Sequence, residues 1–183
     1  MDTLRWTQQV DQVTQEVKRH FGDLSEDQLN WKPAPAVWSI AENLHHLITV
    51  NNTYPPIIQQ LRNGTYKVSF LGSWKWLVNA IGNMILGSVQ PDRKRPMKTF
   101  PIWEPASGNI PEILKQFEAH QSALHEMIAG SADLLGKQVV IASPANNKIV
   151  YTLEKAFDII VAHEYRHVQQ ALEIKTLIKN NIA

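Results

Sequence analysis

The sequence predicts an all-α protein, a four-helix bundle with an extra helix-and-loop insertion at about residues 66–108. Three observations carry this expectation. Apolar residues recur at 3–4 spacing over several long stretches, the mark of amphipathic helices. No alternating stretch is large enough to build a sheet, so the helices must bury their faces on one another. The composition, 44% hydrophobic and 19% charged with 8 Gly and 10 Pro in 183 residues, is that of an ordinary globular chain. At ~150 residues per domain this length predicts one domain spanning residues 1–183.

The first helix is expected from about Thr3 to Phe21, where Trp6, Val10, Val13 and Val17 share a face and Gly22 follows the end. Asn30-Trp31-Lys32-Pro33-Ala34-Pro35 then reads as an extended or turned connector. Ser39-Ile40-Ala41-Glu42 is a capping box that opens the second helix. Ile40, Leu44, Leu47, Tyr54, Ile58 and Leu61 trace its apolar face, Pro55-Pro56 is expected to kink it, and Asn63-Gly64 stops it.

Within the insertion, Trp74, Leu77, Val78, Ile81, Met84 and Ile85 predict a shorter helix. A long connection from Gln90 to Pro105 follows, stiffened by four prolines. Connections of that length in a small domain are usually functional or packed over something. The segment also carries Trp74, Trp76, Phe100 and Trp103, which should bury in a substrate pocket, on a second subunit or against the outside of the bundle. Another helix is expected over Ile110 to Ala129, closed by Gly130. A short hairpin pairing Val139-Val140-Ile141 with Ile149-Val150-Tyr151 precedes the last helix. That helix begins near Thr152 as N-cap and runs to about Lys179.

Eighteen Lys and Arg against seventeen Asp and Glu leave a net charge of +1, so no field for nucleic acid or acidic membranes is expected. Cysteine is absent, which excludes disulfides, thiolate metal sites and cysteine nucleophiles and accords with a reducing cytoplasm. The N-terminus, MDTLRWTQQVDQVTQEV, lacks the basic flank and apolar core of a signal peptide, and no run approaches the length of a membrane span. A cytoplasmic protein with a small-molecule substrate is the resulting expectation.

The seven histidines sort by helical face. On the last helix, Ala156, Ile160, His163, His167, Gln170 and Ile174 keep an unbroken 3–4 spacing, so both histidines sit on the apolar seam. Four residues apart, their rings can converge on one point. A bound metal would account for two buried imidazoles; a water or carboxylate network is the alternative. On the second helix, at ~100° per residue, His46 falls at the edge of the apolar stripe and His45 on the opposite side, towards solvent. His46, His163 and His167 therefore make a candidate open metal site. His20, His120 and His125 have no such company, and inner-face acids are too few for a di-iron carboxylate bundle.

His163-Glu164-Tyr165-Arg166-His167 also fits the H-E-x-x-H signature of zinc peptidases. The extended signature needs Gly where Gln170 stands and a third His where Glu173 stands, and only sixteen residues follow His167. The peptidase reading is therefore disfavoured.

Two further motifs carry a family resemblance. Leu29-Asn30-Trp31-Lys32-Pro33 leads to Trp38-Ser39-Ile40-Ala41-Glu42, with His46 eight residues after Trp38; the second is His163-x-x-x-His167-x-x-Gln170. In that order the chain resembles the DinB-like (YfiT-like) metal-binding four-helix-bundle proteins, from the first helix to about Leu177. The resemblance implies an up-down-down-up bundle, one divalent ion, nickel or zinc, on His46, His163 and His167, and a homodimer. It further implies a metal-dependent hydrolase or a thiol S-transferase using a low-molecular-weight thiol. Val168-Gln169 stands where Arg-Gly often precedes the family's Gln, and the insertion is extra; both lie close to where a substrate would bind.

In such a site the remaining positions take water or substrate: a zinc-type ion draws the water's pKa towards ~7, or binds a thiol as thiolate. Asn51, Tyr54 and Gln170 are candidates to support the ligands or the substrate, or else they are structural hydrogen-bonding groups. The non-catalytic alternative is a metal-stabilised binding or stress-response protein, in which the metal's open face would meet no accessible cleft.

Overall fold

The computed structural model describes residues 2–68, 70–92 and 99–182. Its long helices are α1 (Leu4–Phe21), α3 (Ile40–Asn51), α6 (Ile113–Ala129) and α8 (Leu153–Ile182). Between them lie α2 (Glu26–Asn30), α4 (Pro55–Arg62), α5 (Lys75–Ser88), α7 (Ala132–Leu135) and a hairpin of β1 (Val140–Ser143) and β2 (Asn146–Thr152). No helix among the described residues is long and apolar enough to cross a membrane.

Side-chain bonds fix the helix directions. Trp6 Nε1 donates to Asp158 Oδ1 (2.9 Å) and Tyr165 Oη to Gln12 Oε1 (2.9 Å), so α1 and α8 run parallel. Asn43 meets His167 and Asn51 meets Glu164, which sets α3 antiparallel to α8. The start of α1 shares a core cluster with Leu124 and Ile128, and its end shares one with Ile113 and Phe117, so α6 opposes α1. The order is up-down-down-up, the bundle expected from the sequence.

Several boundaries differ from the periodicity reading. The second helix does not kink at Pro55-Pro56; it ends at Asn51 and restarts at Pro55. Neither proline has an N–H to give, and each ring would crowd the carbonyl four residues back, so both fit best in the first turn of a new helix. α6 begins at Ile113 rather than Ile110, because Ile110 is fastened elsewhere: its N–H donates to Asn30 Oδ1 (2.8 Å) and its carbonyl accepts from Asn30 Nδ2 (3.3 Å). The short helices α2 and α7 carry too few residues to show a period. α2 owes its start to a capping box of Ser25 and Gln28.

The hairpin forms as expected, with Ile141 opposite Tyr151 and Val140 opposite Thr152. Thr152 caps α8, its Oγ1 accepting from the Lys155 N–H at 3.1 Å. The insertion helix α5 lies across β2 and α8, and Gly82 permits the approach: a Cβ there would stand 2.9 Å from Lys155 Cγ and 3.2 Å from Tyr151 Cβ. Of the connection from Gln90 to Pro105, residues 93–98 lie outside the described residues.

Candidate metal centre

Positioning of His46 starts at the N-terminus of α3. Ser39 Oγ accepts from the Glu42 N–H (3.0 Å), while Glu42 Oε2 accepts from the Ser39 N–H (2.8 Å) and Oε1 from Lys32 Nζ (2.7 Å). With the helix start pinned, His46 projects inward two turns later and is 3% exposed. Its Nδ1 lies 2.6 Å from the Trp103 carbonyl, which can only accept, so Nδ1 carries the proton and Nε2 the lone pair. His167 is fixed in the same sense. Its Nδ1 donates to Asn43 Oδ1 (2.8 Å), an oxygen assigned by the Asn43 amide donating to the Ser39 carbonyl (2.8 Å).

The Nε2 atoms then meet. His163 Nε2 lies 3.3 Å from His46 Nε2 and 3.1 Å from His167 Nε2, and all three ligand atoms fall within 4.8 Å of one another. Two nitrogens bound to one tetrahedral ion at ~2.0–2.1 Å would stand about 3.3 Å apart, so the spacing suits a shared cation. Burial pushes His46 down to about 4 and His163 to about 3, and holds His167 well below its ordinary value. The rings are neutral, the protonation state in which imidazole ligates. Trp38 covers the group, 4.9 Å from the His46 ring and stacked at 5.8 Å on that of His167.

The histidines open onto a cavity of about 570 Å³. It is walled chiefly by apolar side chains, among them Val50, Ile85, Val89, Ile149, Ile159 and Ile174. Phe100 and Trp103 from the insertion also line it, whereas Trp74 and Trp76 lie outside it, 49% and 68% exposed and packed on one another.

A family profile of the DinB superfamily matches residues 9–171. The match spans nearly all of the bundle together with the three histidines. The chain belongs to the DinB superfamily. No curated protein and no solved structure gave a match.

Of the supporting residues proposed from this DinB-superfamily sequence, Tyr54 and Gln170 line the cavity. Asn51 lies instead in the bundle interior, where its Nδ2 donates to Glu164 Oε1 at 3.0 Å. His45 stays outside the cluster, but it is half-buried under the insertion rather than turned to solvent: its Nδ1 accepts from the Ala106 N–H at 3.2 Å. Sequence reasoning named Trp38 only within the family motif and Trp103 only as a pocket aromatic, and it missed Asn43 altogether. Asn43 had a usable signal, three residues before His46 and so on the same helical face. The Trp103 contribution is a backbone carbonyl, for which no side-chain pattern exists.

Proposed function

We propose that the chain is a metal-dependent enzyme that acts on a small molecule, as a hydrolase or a thiol S-transferase, at an open site on His46, His163 and His167. The observation that carries this reading is the convergence of three neutral imidazoles at the wall of a 570 Å³ cavity. A structural metal needs no such access, so the cavity supports catalysis over a purely metal-stabilised binding or stress-response protein. Nickel or zinc suits an all-imidazole donor set. When bound, such an ion supplies Lewis acidity, polarising a substrate oxygen and acidifying a water or a low-molecular-weight thiol beside it.

The protein's own groups do the rest. The Trp103 carbonyl and Asn43 hold two rings in the ligating tautomer. Trp38 and the apolar wall keep bulk water from the reacting end. Gln170, one turn beyond His167, lines the cavity, which supports a role for it in hydrogen-bonding the substrate. A homodimer in a reducing cytoplasm, the setting that a cysteine-free chain accords with, completes the reading.

Purified protein should hold about one nickel or zinc ion per chain by elemental analysis. His163→Ala should abolish binding, while His45→Ala should not. Retention of the metal by His163→Ala, or its loss from His45→Ala alone, would overturn the ligand assignment. Screening thiols with electrophiles against simple esters and amides then separates transferase from hydrolase.

A further inference from the structure

The cavity has a second polar pole. Tyr54 and Tyr151, each 2% exposed, both line it, and their hydroxyls lie 3.1 Å apart. Two hydroxyls joined by one hydrogen bond own two protons and use one. One O–H of the pair is left ready to donate. Burial holds both phenols above their ordinary pKa, so neither ionises near neutrality.

Tyr54 lies three residues beyond the end of α3, which carries His46, and ten residues of α8, about 15 Å at ~1.5 Å per residue, separate His163 from Leu153 beside Tyr151, so the two poles stand apart. The wall between them is apolar, built from Val50, Ile159, Ile85 and Val89. It offers few charges: Arg166 turns Nη1 to the Gln90 carbonyl (3.1 Å), and Glu173 is exposed. Resting on the reading of the histidines as the reactive end, we propose that the cavity takes an elongated, largely apolar small molecule whose far end carries an acceptor oxygen, a carbonyl or ether, bound by the Tyr54–Tyr151 hydroxyls. A ligand without that oxygen leaves the spare O–H unpartnered in an apolar surrounding, which makes the pair a discriminating element rather than a neutral wall.

The test uses two rigid probes of equal carbon skeleton, 4-acetylbiphenyl and 4-ethylbiphenyl, which differ by the ketone oxygen, in equilibrium dialysis with the protein as purified. The acetyl probe should bind about 3–10-fold tighter, the range of one hydrogen bond of ordinary net strength. In Tyr54→Phe/Tyr151→Phe the preference should vanish through loss of acetyl binding, with ethyl binding unchanged; the retained ethyl binding shows that the cavity has survived. Ile85→Trp, which fills the cavity, should block both probes. Equal binding of the two probes to wild type, binding of neither, or a preference that survives the double variant would overturn the proposal. Stripping metal with dipicolinate should leave the ratio in place. A protein that takes up neither nickel nor zinc yet still discriminates would refute the metal reading alone, and one that holds metal but does not discriminate would refute this inference alone.

Discussion

Glu164 stands beside a metal-ligand candidate in sequence and away from it in space. Its side chain is 0% exposed, and Oε1 accepts from Asn51 Nδ2 (3.0 Å) and Gln121 Nε2 (2.9 Å), tying α3 and α6 to α8. A peptidase general base must reach the water it activates, and this carboxyl is turned into the bundle instead. Burial pushes it up to about 8, which favours the neutral acid at pH 7. Glu164→Gln should therefore keep its metal and reveal no lost proteolysis. Its new N–H can serve the unpartnered Asn51 Oδ1 or Gln121 Oε1, so the melting temperature should hold or rise. Casein cleavage by wild type that disappears in Glu164→Gln would restore the peptidase reading. His120 sets a different balance. Burial lowers it to about 4 from its ordinary 6.5, and Nε2 has no partner. Below pH 6.5 the unfolded chain takes a proton that the folded chain refuses, so the stability tied to neutral His120 is lost as pH falls from 6.5 towards 4. At ~1.4 kcal/mol per pKa unit the full effect is roughly 3 kcal/mol. His120→Gln should lose less stability than wild type between pH 7 and 4.5 in urea titrations; parallel losses would show that His120 does not set the acid limit.

Among the elements, α3 shows how a helix start controls the site. The Ser39 hydroxyl caps the helix and its carbonyl holds the Asn43 amide, whose oxygen in turn orients His167. Ser39→Ala should cost about 1–2 kcal/mol, the usual loss for an N-cap, with the upper end favoured because Ser39 is fully buried. It should also weaken metal retention on dialysis, whereas Ser39→Asp should keep more of both. Unchanged metal retention in Ser39→Ala would mean that the cap does not reach the histidines. This capping box was legible in the sequence, as were the four long helices, the hairpin and the inward turn of His46, because each is written in local spacing. Pro55-Pro56 was harder: a kinked helix and a helix restarted at proline share one apolar pattern, and only the packing distinguishes them. The supports of the site were least legible. Asn43 reaches His167 across the bundle, and Trp103 reaches His46 through its backbone from fifty-seven residues away. Such contacts leave no period in the chain.

On the scale of the whole molecule, the apolar core divides into two clusters, one around Trp6, Tyr54 and Phe157 and one around Phe21, Leu44 and Phe117. Between them runs a polar belt holding the three histidines, Asn43, Asn51, Gln121 and Glu164. Asn43 pairs with His167, and Asn51 and Gln121 pair with Glu164, which offsets part of the cost of placing polar groups mid-bundle; Asn51 Oδ1, Gln121 Oε1 and Glu164 Oε2 have no partner. α5 and the strap around Trp103 then cover the side of the bundle where the belt meets the cavity. That cover has an outer face. Phe70, Trp74 and Trp76 are 76%, 49% and 68% exposed, with ring centroids 6.2 and 6.3 Å apart in sequence order, and Met84 is 62% exposed. A cluster of aromatic side chains left in water is unusual on a monomer and marks a surface that gains by being covered. A second copy of this chain is the occupant that the proposed homodimer supplies. Wild type should sediment as a dimer at micromolar concentration, and Trp74→Ser/Trp76→Ser should shift it to monomer. Its metal content should not change, since neither residue lines the cavity. A monomeric wild type, or a double variant that dimerises as well as wild type, would remove this face from the assembly. The exposed aromatics would then need a partner other than a second copy.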